Sequence, residues 1–570
     1  MTAPKRITCD VLVAGSGAGG FAAALTASHH GLEVIVTEKE ALFGGTTAYA
    51  VGGIWMPGNV QARRAGIDDS AELAFTYLEH KVGSRLNREK ALAYVHNCAA
   101  MLEFFERHTE MRYALQKRPD YHPELPGAVA QGRSMLPEPF DGRLLGEYFA
   151  KLRPPLSSTM LLGGLGVNPN DVMHLFNATR SLGSARHVAR LLGRYALDRL
   201  GHSRGTRLVN GNALIGRLAR SLLERRIPLW LSAPITKIEH HDGRVVGAHV
   251  DRSGTSVEIT TRRGVVLACG GFAASDAMRR RYFPHVGAGR NHASMASPGN
   301  TGDGIRLATE VGANFIEDAW HPAAWAPVSL APQADGTRVP FPHFMDRCKP
   351  GYIAVARTGR RFANEAQSYH DFVPAMIEAC RSQPETEAYL VCDHRAIRRY
   401  GLGVAPPAPA RLEPHCRSGY LTRAESPDAL ARLLGIDADA FAATVARYNE
   451  GALRGDDPEF GKGRNAYDRF VGDQRHQPNP CVAPLSTPPF YAVRLVPSDL
   501  GTFIGLATDR FARALDQAGN PIEGLYAVGN DQASAMGGTY PGAGIMLGTA
   551  LTFGYLAGLH LAEGARSALR

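Results

Sequence analysis

Cysteine is scarce and widely scattered. The eight in 570 residues stand at 9, 98, 269, 348, 380, 392, 416 and 481, and no two form a C-x-x-C pair. That excludes the common metal-site spacings, gives no haem or iron–sulfur ligand pattern, and fits a reducing, cytoplasmic setting. Long hydrophobic runs are also missing. The stretches 11–27 and 546–562 approach membrane-span length, but glycines break both, and each falls short of about 18–20 residues, so no transmembrane segment is expected. The first apolar run starts at Val11 and leads straight into a glycine motif, which leaves no room for a signal peptide. Charge of one sign does not dominate: 63 Lys and Arg face 54 Asp and Glu, and the densest basic cluster, Arg279 to Arg281, lacks interleaved aromatics. Nucleic acid is therefore not an expected partner, although such a surface suits an acidic membrane.

Glycine, with 62 residues, is what the chain has in quantity. "DVLVAG" is an apolar run of strand length, "GFAAALTASHHG" an alanine-rich helix, and "EVIVTEK" a second buried strand. Gly15, Gly17 and Gly20 give G-x-G-x-x-G at the strand-to-helix turn. The first permits the turn, the second lets backbone approach a pyrophosphate, and the third lets helix and strand pack closely. The expected cofactor contacts here are Gly15, Ser16, Gly17, Ala18, Gly19 and Gly20, with Glu38 and Lys39 at the tip of the second strand, where an acid meets ribose hydroxyls. NAD and FAD share this fingerprint. The next segment, "FGGTTAYAVGGIWMPGN" (43–59), is a glycine-rich coil rather than another strand–helix repeat, which favours FAD and adds Gly45, Thr46, Thr47, Gly52 and Gly53.

The remaining order suggests an α/β protein: a Rossmann-like FAD-binding domain of the GR2 type, interrupted by an inserted α+β substrate domain. "GVVLACGGF" (264–272) is a further buried strand whose glycine turn, Gly270 and Gly271, abuts the cofactor. Residues 285–486 shift to a mixed, proline- and histidine-rich composition and are assigned to the insert. The strand and glycine signature then returns in "GLYAVGNDQASAMGGTYPGAG", adding Asn530, Gly544 and Leu547. The expected bounds are 1–284 and 487–570 for the split cofactor domain, with a mainly helical extension at about 144–205 whose middle, "LRPPLSSTMLLGGLGVNPND", is broken by prolines.

Together, the N-terminal fingerprint, "GRRFANEAQSYH" and "GLYAVGN…GGTYPGAG…GTALTFGY" resemble the flavoproteins related to fumarate reductase, and within them the 3-ketosteroid Δ1-dehydrogenases. The similarity runs from about residue 8 onward, and "PDYHPELPG", "NEAQSYHDF" and "YPGAG" in this order are its specific part. The resemblance implies FAD-dependent formation of a C1–C2 double bond in ring A of a 3-ketosteroid, with the C1 hydride passing to flavin N5. It further implies that Tyr540 and the Gly544 amide hold the C3 carbonyl oxygen, that Tyr369 takes the C2 proton, and that Tyr121 supports it. "AYAVGG" (48–53), Ile504 and the long 144–205 segment depart from the family's wording. They bear on steroid size and side-chain preference, not on the ring chemistry.

The chemistry independently wants such residues. A C–H beside a ketone becomes acidic only if the developing enolate oxygen meets fixed donors. Tyr540 supplies a phenol, and a peptide N–H at Gly542 or Gly544 supplies a second donor where no side chain blocks approach. A helix beginning at about residue 545 turns the Gly544 N–H out of its positive end. A tyrosine base has a reference pKa near 10, so turnover is expected to rise from pH 7 toward about 9. Tyr352 is a competing phenol, while His122 and His370 read as hydrogen-bonded fillers. A fumarate- or acrylate-type reductase, which would use arginines such as Arg360 and Arg361, stays open, as does a flavin-binding scaffold without turnover. The electron acceptor is expected to be external, a quinone or an electron-transfer protein. Residues 150–205, with Arg180, Arg186, Arg190 and Arg194 beside apolar residues, suggest peripheral membrane contact or a helical cover over the cofactor domain.

Overall fold

The computed structural model describes residues 5–178 and 181–567; Arg180 lies outside the described residues. The strand Lys5–Ala14 runs parallel to Val34–Thr37 on one side and to Thr255–Leu267 on the other, and the latter pairs in parallel with Pro521–Ala527. Val11, Leu12 and Val13 are fully buried, as strands covered on both faces require. The hairpin Ile235–His241 and Arg244–Arg252 extends this sheet through antiparallel pairing.

The helix Ala18–His29 starts at the first turn and covers one face of the sheet. Against it lies the C-terminal helix Ile545–Ser567. A Cβ on Gly554 would come within 2.4 Å of the Gly19 carbonyl oxygen, so the two helices meet backbone to backbone. The stretch Ile545–Glu563 is long and apolar enough to cross a membrane, yet 67% of its most apolar window is buried inside the protein.

A second, seven-stranded sheet includes Ala323–Pro332, Phe490–Thr502, Ala388–Asp393 and Tyr352–Ala356. Phe490–Thr502 pairs with Ala323–Pro332 on one side and Ala388–Asp393 on the other. That strand is central to the second sheet, so the return to the first sheet comes after Thr502 rather than at residue 487. Composition missed this because strand character alone does not say which sheet a strand joins. The 144–205 segment is mainly helical with a break in its proline-bearing middle, in line with the sequence. It holds a 3₁₀ turn over Gly142–Lys151, a small hairpin of Met160–Leu161 with Leu165–Gly166, and two capped helices, Pro169–Asn177 and Leu182–Asp198.

Candidate active site

Tyr121, Tyr369 and Tyr540 come from three distant parts of the chain and meet. The Tyr369 and Tyr540 ring centroids lie 5.4 Å apart, edge to face. Tyr121 stacks on Tyr540 at 6.0 Å and meets Tyr369 edge-on at 5.7 Å. Tyr369 opens the helix Tyr369–Ala379, whose N-cap Ser368 accepts a hydrogen bond from the Asp371 N–H. Tyr121 is held through its neighbour Asp120, whose carboxylate accepts from Trp55 Nε1 at 2.7 Å and from Arg133 at 2.8 Å. Its own N–H donates to the Pro541 carbonyl at 3.3 Å, and the Tyr77 hydroxyl donates to the same carbonyl at 2.6 Å. The segment carrying Tyr540 is thus clamped from two sides.

Gly544 has φ +100° and stands just before the helix that begins at Ile545. Burial raises the Tyr540 phenol pKa, and a hydrogen bond from the Gly544 N–H partly offsets that rise, so the amide lies within reach of the phenol oxygen. The glycines near Tyr540 are explained differently from the sequence expectation. A Cβ on Gly542 would lie 2.4 Å from the Trp55 indole, and one on Gly544 would lie 2.4 Å from the Ile54 nitrogen. These glycines are required by close packing against the segment Ile54–Trp55. The access they give a ligand follows from that packing.

Burial raises all three phenols, Tyr369 the most, and the mutual proximity of the rings raises Tyr369 further. Their protons belong to a coupled cluster. The main positive charge acting on it, ahead of Arg347, is Arg118, which sequence reasoning missed. Its guanidinium lowers the Tyr121 pKa and lies 5.5 Å over the Phe470 ring. Tyr467, also missed, packs 4.8 Å from Tyr121. Both were hidden because they reach the cluster through tertiary packing that no local motif encodes. The histidines are structural: His370 Nδ1 accepts from the Trp325 N–H, and burial pushes its pKa down to about 3. His122 pairs with Asp371 at 2.9 Å. The Tyr352 hydroxyl is buried and donates to the Gly401 carbonyl.

The first turn has the shape a dinucleotide needs. A Cβ on Gly15 would lie 2.0 Å from the Ala268 oxygen, and one on Gly20 would lie 2.1 Å from the Gly15 oxygen, so both are locked by packing. At Gly17 the nearest such atom is Thr47 Oγ1 at 3.6 Å, and at Gly45 and Gly529 there is nothing within 4 Å. These three positions leave open backbone beside the positive end of the helix Ala18–His29, the setting that suits a pyrophosphate. Glu38, at the strand tip, accepts from Ser16 Oγ at 2.5 Å and from the Glu40 N–H at 3.0 Å, which fixes its carboxylate beside the first turn. Asp531, which no motif signalled, accepts from the Gly271 N–H at 2.9 Å and from the Cys269 N–H, tying the Gly270–Gly271 turn in place. Asn530 lines a cleft with Phe503, Met536 and Ile545, and Ile545 stands two residues before Leu547.

Some expected contacts are otherwise engaged. Lys39 Nζ forms an ion pair with Asp303 at 2.6 Å. Gly52 is packed against the Asn210–Gly211 backbone, and Gly271 against Thr502. Thr47 Oγ1 accepts from the Ala18 N–H, and Thr46 Oγ1 accepts from Ser297 and Asn300. Gly53 sits beside Leu136, while Gly19 adjoins Gly529. The donor set and the open glycines fit FAD. The arginines of the competing reductase reading do not serve it: Arg360 is exposed, and Arg361 is fully buried between Glu365 at 2.8 Å and Asp457 at 2.7 Å.

Residues 10–547 match the family described as "FAD binding domain". The chain is 38% identical to a 4-oxocyclohex-2-ene-1-carboxylate 5-dehydrogenase of Sinomonas cyclohexanicum, over 98% of this chain and 94% of that one. It is 38% identical to a 3-oxosteroid 1-dehydrogenase of Mycobacterium tuberculosis, over 97% of this chain and 98% of the other. The crystal structure of a 3-ketosteroid Δ1-dehydrogenase from Sterolibacterium denitrificans, in complex with 1,4-androstadiene-3,17-dione, superposes with a TM-score of 0.88 at 38% identity, covering 98% of this chain and all of that one.

Proposed function

Because this chain belongs to the FAD-binding family of the 3-ketosteroid Δ1-dehydrogenases, we propose that it desaturates a ring ketone beside its carbonyl, on ring A of a 3-ketosteroid. It is a flavin-dependent oxidoreductase acting on a CH–CH group. The observation carrying this proposal is that the Tyr369 and Tyr540 phenols meet beside the Gly544 amide. Tyr540 and the Gly544 N–H supply two fixed donors for a ketone oxygen, which makes the adjacent C–H acidic. Tyr369, in edge contact with Tyr540, takes the proton from that carbon. Tyr121, with Arg118 beside it, steadies the charge that Tyr369 then shares. Gly15, Gly17, Gly20 and Glu38 would hold FAD, which when bound supplies the hydride acceptor. Electrons leave through an external acceptor, a quinone or a protein.

The relatives named above act on two kinds of ring ketone, a steroid and a cyclohexenone carboxylate; the ketone grip proposed here serves either. We also propose that residues 150–205 rest on an anionic membrane surface, because Leu182 is 91% and Leu200 85% exposed beside exposed Arg186 and Arg190.

The test is an anaerobic titration of the purified holoenzyme with 4-androstene-3,17-dione. Bleaching of the flavin's visible band, with the 1,4-diene as product, is the expected result. A flavin that stays oxidised with the steroid, yet turns over fumarate with a reduced viologen, would overturn the reading.

A further inference from the structure

The amine of Lys90 is enclosed by the protein, and no carboxylate holds it. Lys90 lies in the first turn of the helix Arg88–His108 and is buried. Its Nζ donates to Thr508 Oγ1 at 2.8 Å and to the Ala533 carbonyl at 2.7 Å, both neutral acceptors. The Phe553 ring of the C-terminal helix lies 5.3 Å from the same nitrogen. Among the described residues it has no ion-pair partner. Lys462, likewise buried, is differently provided, with Glu365 at 3.4 Å. The charged groups acting on Lys90 are Asp509, which Arg513 already holds at 2.6 Å, and Glu89, its chain neighbour. Burial outweighs both and lowers the ammonium pKa to about 7, so the charge is present in acid and lost as the pH rises past neutrality.

All three contacts back onto the cleft beside Asn530. Phe553 and Gln532 line it, Ala533 lies between the lining residues Gln532 and Ser534, and Thr508 Oγ1 donates to Gln532 Oε1 at 3.2 Å. The cleft runs from the open backbone of Gly529, beside Gly19 of the first turn, to Met536 and Ile545, which bracket the segment carrying Tyr540 and Gly544. A dinucleotide anchored at the first turn would send its ring system along this cleft to meet a ketone held at Tyr540. A buried ammonium without a counter-ion costs folding free energy that an uncharged side chain of the same length would not. Electrons arriving in the cleft supply the missing negative charge. We propose that Lys90 sets the redox balance of the bound FAD, its ammonium favouring the two-electron reduced form over the oxidised one from behind the cleft wall. Reduction adds two electrons and one proton to the flavin and leaves it one negative charge, which the ammonium offsets. Lys90 acts across the wall formed by Gln532, Ala533 and Phe553, so it is a positioning residue and not a catalytic one. The proposal rests on the FAD-binding reading above and adds a residue to it.

The test is a redox equilibrium that needs no substrate. Wild-type, Lys90→Met and Lys90→Gln holoenzymes are reduced anaerobically against a reference dye, at about pH 6 and about pH 9, on either side of the amine's titration. The visible band then gives the ratio of reduced to oxidised flavin at a fixed dye ratio. At the lower pH the wild type is expected to exceed both variants in that ratio by about tenfold, the scale of one charge acting across a protein wall. At the higher pH, with the amine neutral, the three should agree within about twofold. Methionine keeps the side chain's length and glutamine keeps a donor for Ala533, so the two variants separate lost charge from lost packing. A merely structural lysine would change FAD retention and leave the redox ratio where it was. Equal ratios in acid, or a gap of the same size at both pH values, would overturn the proposal. Because the dye replaces the substrate, the outcome is separate from the ring-ketone reading. A gap in acid with no bleaching by any ketone removes that reading and leaves the role of Lys90 standing. Bleaching by the steroid with no gap does the reverse.

Discussion

Three phenols within about one ring's width, all raised by burial, form a proton reservoir that is protonated at neutral pH. Tyr369 must lose its proton to act as base, and its pKa is held well above the ordinary phenol value near 10. The ionised fraction therefore grows throughout the range below that value. We expect kcat/KM to rise about tenfold per pH unit between pH 7 and 9. Tyr369→Phe should abolish both the rise and most of the rate, and a flat wild-type profile would contradict Tyr369 as base. Tyr121, Tyr369 and Tyr540 were singled out through the family resemblance of their three short motifs, and the structure brings the three rings together. Arg118, Tyr467 and Asp531 were not singled out. Each acts across a tertiary contact with no local spacing to announce it, and "KRPDY" reads on its own as an ordinary basic turn.

Elements divide in the same way. The helix Ala18–His29 and its flanking strands were readable because alanine, glycine and valine follow the demands of a tight strand–helix–strand unit. The C-terminal helix was readable as helix, though not as the close partner of the first, since only the Gly554–Gly19 approach reveals that. The 144–205 segment keeps the broken middle that its prolines announce, though the small hairpin within it was not foreseen. Its prolines and glycines break it into a 3₁₀ turn, a hairpin and two short helices. The helix Leu182–Asp198 leaves Leu182 and Leu197 exposed alongside Arg186 and Arg190. If that face meets an anionic bilayer, the wild type should sediment with acidic vesicles. Leu182→Asp combined with Leu197→Asp should bind at least about tenfold more weakly, the scale of two leucines removed from an apolar phase. Equal sedimentation of the two proteins would sink the membrane contact and leave the helix as a cover.

At the scale of the whole molecule, the reaction centre exists only because two sheets meet. The first sheet leads through Pro521–Ala527 toward Tyr540 and the Gly544 amide. The helix opened by Tyr369 packs on the second sheet, against Ala323–Pro332. The long strand Phe490–Thr502, assigned by composition to the first sheet, instead organises the second, so the chain commits to its insert further than its glycine pattern suggests. The fold brings Tyr540 and Gly544 from one side and Tyr369 from the other, so in the proposed mechanism the ketone donors and the base sit on different sheets. Removing one donor should therefore slow chemistry without loosening the cofactor. The most direct measurement is anaerobic single-turnover reduction of the bound flavin by a ring ketone, in wild type and in Tyr540→Phe. The account predicts that the variant keeps its FAD and reduces it more slowly by well over about tenfold. A variant that reduces its flavin within about twofold of the wild-type rate would contradict it.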